Sequence, residues 1–259
     1  MVIILDAFSA IILGILQGVT EWLPISSQGQ VMSVSVELLG ISAKQALSYA
    51  IWLHLGTLIA AALYFRGAVF NVISYKDKET FRWLFLASLA TGITALPLYI
   101  FIKEAVSLSE ASVIILMIGL LLVVSGLLQK SASSSMEARE INDRNAVVTG
   151  LMQGLSILPG VSRSGTTVSA LLLQGFSAER SFYLSFLMSI PAVFAAEIVL
   201  GLDEGISMSG WSLMAVAISF LVGYLTLEKL IDLAKNASFW KFCIGFGIFL
   251  ILLFIMQVL

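Results

Sequence analysis

The sequence predicts an all-α integral membrane protein built from two inverted repeats, each a re-entrant helical hairpin followed by three transmembrane helices. Three observations predict it. Hydrophobic residues make up 59% of the 259-residue chain and charged residues only 12%, with a mean hydropathy of +1.02. A soluble domain carries about 25% charged residues, so this chain has too little polar surface to cover a core in water. Six stretches have the roughly 20 apolar residues that a spanning helix needs. Two further apolar stretches are interrupted by similar polar text, and they stand at corresponding places in the two halves of the chain.

Taken in order, the opening MVIILDAFSA lacks a basic segment and contains Asp6, so it is not expected to be a cleaved leader. The first interrupted stretch, 7–39, contains VTEWLPISSQGQ. Proline, glycine and clustered hydroxyls prevent one straight helix there. Non-helical backbone at membrane depth is tolerated only where protein or a watery cavity encloses it. The stretch is therefore read as a hairpin that enters and leaves on one side, in preference to a single broken span. Spans follow at about 46–65, 83–102 and 111–129. A polar, Ser-rich linker, KSASSSMEAREINDRN, occupies 130–145. The second hairpin, 146–176, contains LSILPGVSRSG, and spans follow at about 181–200, 211–229 and 239–258. The chain is thus one membrane domain over 1–259, with repeats at 1–129 and 146–259.

The repeat is visible in residues. GILQGVTEWLPISSQG (14–29) aligns with GLMQGLSILPGVSRSG (150–165) at an offset of 136. Gly14, Gln17, Gly18, Ser26 and Gly29 meet Gly150, Gln153, Gly154, Ser162 and Gly165. Three crossings per half is an odd number, so the second half is expected to be inverted, which brings two broken segments together near the midplane. The glycine pairs are read as close helix packing.

Basic residues set the orientation. Six crossings put eleven on one side: Arg66, Lys76, Lys78, Arg82, Lys130, Arg139, Arg144, Arg180, Lys229, Lys235 and Lys241. Lys44 and Lys103 fall on the other. The basic side is cytoplasmic, which puts both termini outside, in a multi-pass protein of the plasma membrane. A net charge of −2 without a basic tail argues against nucleic acid. One cysteine, Cys243, excludes an internal disulfide, and one histidine, His54, leaves no protein-only zinc site.

Glu21 and Arg163 are the only charges inside the two hairpins at the predicted membrane depth. An ionisable group at membrane depth costs at least about 2.5 kcal/mol, so each is read first as functional, with the other as its partner. A structural ion pair locking the halves is the alternative. Arg163 is flanked by Ser162, Ser164, Thr166 and Thr167. Guanidinium beside hydroxyls at the start of a helix suits phosphate oxygens. Gln17 and Glu21 share a helix face. Glu21 near Ser26 and Ser27 suits general-base work on a serine or a water. Gln17 and Glu21 are also candidate oxygen ligands for Mg²⁺ or Ca²⁺. His54 sits in an apolar span, where a lone histidine is usually packing and less often a proton shuttle. Glu197 is expected at the outer interface. These residues point to a phosphate-handling membrane site and leave hydrolysis and transport both open.

ILGILQGVTEWLPISSQGQ followed by LPGVSRSGTT resembles the undecaprenyl-pyrophosphate phosphatase family of the bacitracin-resistance type. The similarity runs over essentially the whole chain. It implies hydrolysis of a polyprenyl diphosphate to the monophosphate at the outer membrane face, recycling a lipid carrier, with a divalent cation, and it admits a homodimer. By position, Gln17 and Glu21 match the family's acidic pair, and Ser26 and Ser27 its serine pair. Ser27 is then the nucleophile or a phosphate ligand, and Ser162, Arg163 and Ser164 match the phosphate-binding motif. Thr166 and Gln30 join the substrate-binding set. The family's motif histidine is Gln30 here, and Gln28 replaces a residue that is often Thr or Ser. Glutamine cannot shuttle a proton. Either Glu21 suffices, or His54 substitutes, or hydrolysis is slow. The alternative class is a lipid-phosphate carrier that uses the same site without chemistry.

Overall fold

The computed structural model describes residues 5–132, 140–204 and 210–258. Arg139 and most of the middle of the expected linker lie outside them. Among the described residues the chain is helical, with no strand.

The first interrupted stretch folds as α1 (Ala7–Thr20), a non-helical turn, and α2 (Ser27–Glu37). Asp6 caps α1 by accepting from the Ser9 N–H, which holds its carboxyl below the usual carboxylate range. The turn contains Pro24, and Ser26 closes it in a left-handed conformation at φ 61°. That backbone is uncommon for any residue but glycine. It lets the Ser26 hydroxyl cap α2 at Gly29.

Hydropathy alone predicts one helix for the first span, but the structure has two, α3 (Ala43–Trp52) and α4 (His54–Tyr64). The cause is local. The Ala50 carbonyl, which in an unbroken helix takes the amide four residues on, accepts from His54 Nδ1 at 2.5 Å. After α5 (Arg66–Ile73) come α6 (Lys78–Leu108) and α7 (Ala111–Ser131). The second interrupted stretch folds as α8 (Asp143–Gly154), a single 3₁₀ turn (Leu155–Ile157) and α9 (Arg163–Leu173). Three long helices complete the chain: α10 (Ala178–Glu204), α11 (Gly210–Asn236) and α12 (Phe239–Val258). With α3 and α4 taken together, six helices among the described residues are long and apolar enough to cross a bilayer. This is a multi-span membrane protein.

Packing crosses between the halves. α1 lies on α11, α8 on α6, and α7 on α12. The repeated glycines make the first two approaches. A Cβ on Gly14 or Gly18 would strike the α11 backbone at Ala215 or Gly223. One on Gly150 or Gly154 would strike α6 at Ala87 or Thr94. Small residues at such contacts let helix backbones come together.

The two turns meet at the centre of the bundle, and α7 holds both. Gln129 donates to the Pro24 carbonyl at 2.8 Å. Ser125 donates to the Gly160 carbonyl and accepts from the Ser162 N–H, each at 3.3 Å. The Gly160 N–H donates to the Ser26 hydroxyl at 3.2 Å, linking one turn directly to the other. At the open ends, α8 begins beside α6, where Arg82 pairs with Asp143. Lys130 and Lys241 both lie over Trp240. The end of α2 instead meets the end of α12, where Gln257 donates to Glu37.

Candidate functional site

Each turn delivers one charged side chain to the junction. Glu21 follows the last residue of α1, so it hangs at the mouth of the first turn. Arg163 is the first residue of α9, one position after its cap Ser162. Arg163 donates to Glu21 Oε1 at 2.5 Å. It also donates to the Ser185 carbonyl and lies over the Phe186 ring. Both side chains are largely buried. A lone charge would be very costly there, and the pairing offsets much of that cost.

The other oxygen of Glu21 is fully engaged too. Ser27, the first residue of α2, donates its hydroxyl to Glu21 Oε2 at 2.6 Å. Gln17, one helical turn before Glu21, donates its side-chain N–H to the same oxygen at 2.9 Å. His54 Nε2 lies 3.1 Å from it and 3.4 Å from the Ser27 hydroxyl. A carbonyl only accepts, so the Ala50 contact puts a hydrogen on His54 Nδ1 and leaves Nε2 facing Glu21 and Ser27. The break in the first span is what aims the ring here.

The structure therefore brings Gln17, Glu21, Ser27, His54 and Arg163 into one hydrogen-bonded group. Ser26, Ser162 and Ser164 line the same cavity of about 30 Å³. Ser26 and Ser162 cap the two helices that start at the junction. Ser164 donates to the Leu23 carbonyl. Gln30 is not brought in. It donates to the Ile25 carbonyl at 3.2 Å and closes its own turn. Thr166 is buried on α9, does not line this cavity, and has a hydroxyl without a partner among the described residues.

Glu197 is buried on α10, and with His54 and Arg163 it lines an adjoining cavity of about 110 Å³, a facing the sequence reading did not foresee. Hydropathy locates a residue along a span but not around it, and the facing side decided burial here. The available signal was the rule that an ionisable residue inside a span is functional by default.

Chemically, the group joins a serine hydroxyl hydrogen-bonded to a carboxylate, an imidazole within reach of both, and a guanidinium at a helix start. That is a nucleophile with a base, facing an anion receptor.

Fold and site together define a class: a helical, multi-span membrane protein whose polar centre forms where the turns of two interrupted helical stretches meet. The family model for bacitracin resistance protein BacA matches residues 10–251, and the chain belongs to that family. An undecaprenyl-diphosphatase of Haloarcula marismortui is 42% identical over 252 residues, covering 92% of this chain and 93% of that protein. Undecaprenyl-diphosphatases of Methanothrix thermoacetophila and Methanococcoides burtonii are 41% and 40% identical. Those matches cover 94% and 96% of this chain, and 95% and 98% of the respective relatives.

Proposed function

We propose that this protein is a membrane diphosphatase that hydrolyses a polyprenyl diphosphate, of the undecaprenyl type, to the monophosphate and inorganic phosphate. The observation that carries the reading is the Ser27 hydroxyl donating to Glu21 while Arg163 holds the other carboxylate oxygen. The names of the relatives support the hydrolase and give the carrier alternative no support.

In this reading the terminal phosphate enters between the turns. Its oxygens take the Arg163 guanidinium and the first N–H groups of α9, near Ser162 and Ser164. Substrate must share or take over Arg163 from Glu21. That exchange frees Glu21 to act as base for the Ser27 hydroxyl, or for a water held by it, as the oxygen attacks phosphorus. The bond to the bridging oxygen breaks and the lipid monophosphate leaves; when the Ser27 oxygen is the attacking atom, a water that gives its proton to Glu21 then cleaves the phosphoserine, which frees the Ser27 hydroxyl and inorganic phosphate. His54 Nε2 is within reach of the same proton, so a histidine absent from the position of Gln30 is offset by one from the broken span. General acid–base help of this kind contributes about 10²–10⁴-fold.

A divalent cation belongs to the reading through the resemblance. Gln17 and Glu21 do not fit it as they stand. All the Glu21 contacts are taken by Arg163, Ser27, Gln17 and His54, and the Gln17 carbonyl oxygen, buried without a partner among the described residues, does not make a cation site without a carboxylate beside it that is free to bind. No step is routed through a cation there. The inverted relation of the halves, a plasma-membrane location and a site mouth on the outer face complete the proposal. The crossed packing and the basic-residue split support them. A homodimer is compatible, and every residue of the site described comes from one chain. The test is phosphate release from a polyprenyl diphosphate by the purified protein. Release that is lost in Ser27→Ala supports the reading. No release by the wild type under any metal condition overturns it.

A further inference from the structure

The cavity beside the catalytic group holds polar atoms that the mechanism leaves unused. It is lined by Gln28, His54, Gln153, Arg163 and Glu197, among apolar neighbours on α6 and α10. Both carboxylate oxygens of Glu197, the Gln153 carbonyl oxygen and the Gln28 side-chain nitrogen have no hydrogen-bond partner among the described residues. All three side chains belong to residues that are nine-tenths or more buried. Buried polar groups without partners are rare and costly, so a concentration of them around one cavity implies a ligand.

The signs of these atoms identify its chemistry. Three of the four are oxygen acceptors, two of them on a carboxylate that no guanidinium pairs. Arg163, the cation lining the same cavity, already donates to Glu21 and Ser185. Carboxylate and amide oxygens are the ligands of hard divalent cations. The fourth atom is a donor, and with the Arg163 fork it suits an anionic oxygen. A cation that brings a phosphate oxygen with it would satisfy both signs. His54 lines the same cavity but turns to Glu21 and Ser27 and makes no hydrogen bond to Glu197, and about 110 Å³ exceeds what a cation with one or two waters requires.

We propose that this cavity is a divalent-cation site, with Glu197 and the Gln153 carbonyl as its protein ligands and a diphosphate oxygen completing it. The cation is held by α8 and α10 of the second half, one cavity away from Glu21. The site rests on the diphosphatase proposal only for its phosphate ligand. Its protein side stands independently.

Mn²⁺ binding, read by its electron paramagnetic resonance, tests this on full-length protein in nanodiscs of phosphatidylcholine, which carries no net charge. Wild type is expected to bind Mn²⁺, more tightly when methylenediphosphonate is added. Glu197→Gln keeps shape but removes the charge and should weaken binding by at least about tenfold, the least that altering even an outer partner of a metal costs. Glu21→Gln should still bind Mn²⁺, with an affinity that falls further when Glu197→Gln is added. Unchanged binding in Glu197→Gln overturns the proposal. So does a loss confined to Glu21→Gln, which would put the cation on the first hairpin. Absence of Mn²⁺ binding by wild type, with and without methylenediphosphonate, overturns it as well. Binding that depends on Glu197 in a protein that releases no phosphate supports the site and defeats the hydrolase reading instead.

Discussion

The two hairpins share a plan and differ in charge. Each begins with a helix carrying a glycine pair and a glutamine, breaks at a turn, and restarts with a serine cap. At the repeat offset of 136, Ser27 and Arg163 occupy the same position, the first residue of the restarting helix. One place therefore carries the hydroxyl in the first half and the guanidinium in the second. Glu21 has Ile157 as its counterpart, so the carboxylate exists only in the first hairpin. Even the turns differ in how they bend: Ser26 is left-handed at φ 61° and Gly160 at φ 102°. Two similar hairpins bring two helix starts to one junction, and in the proposed function the residues that differ between them make one the reacting side and the other the anion-holding side.

That division is most sharply broken at Glu21. Glu21→Gln keeps the hydrogen-bonding shape but removes the base and the partner of Arg163. Phosphate release should fall by about 10³-fold or more, with the variant still folded by circular dichroism and size-exclusion profile. Arg163→Lys tests the other hairpin. It keeps the charge, loses the planar fork, and should lower kcat/KM by about 10²-fold, as removing one oxyanion donor does. His54→Ala should have a smaller effect, about tenfold, because Glu21 remains against Ser27. Gln30→His should leave the rate unchanged, since that side chain closes its own turn on Ile25. A gain in Gln30→His together with no loss in His54→Ala would show that the structure misassigns the proton path.

The smallest expected effect concerns docking, not chemistry. Gly154→Ala would push a methyl group into Thr94 and the Thr91 carbonyl. Overpacking of this kind costs about 1–3 kcal/mol, read as a lower Tm in detergent. Gly18→Ala on the other hairpin should cost a similar amount, from contact with the Val222 side chain and the α11 backbone. A stabilised variant would mean that the glycines are not the points of closest approach.

How much was legible depended on the kind of signal. The six spans could be read because hydrophobicity over twenty residues is a one-dimensional property. The hairpins could be read because Pro24, Pro159 and the serine clusters cannot continue a helix in lipid. The pairing of Glu21 with Arg163 followed from the cost of leaving either alone. The break at Leu53 was hidden, because AIWLHLGTL is uniformly apolar and a ring nitrogen competing for one carbonyl leaves no mark in hydropathy. The direction of Glu197 was hidden for a related reason: helix rotation is set by packing partners. Gln30 occupies a motif position, yet its side chain turns back to Ile25, which position in the sequence does not reveal.

The division of labour between the hairpins is tested most directly by binding of a methylene-bridged, non-hydrolysable polyprenyl diphosphate analogue, measured on Ser27→Ala and Arg163→Lys alongside their phosphate release. The account predicts that Ser27→Ala loses turnover while binding the analogue as tightly as wild type, and that Arg163→Lys loses affinity for it. Wild-type turnover in Ser27→Ala, or wild-type affinity in Arg163→Lys, would contradict it.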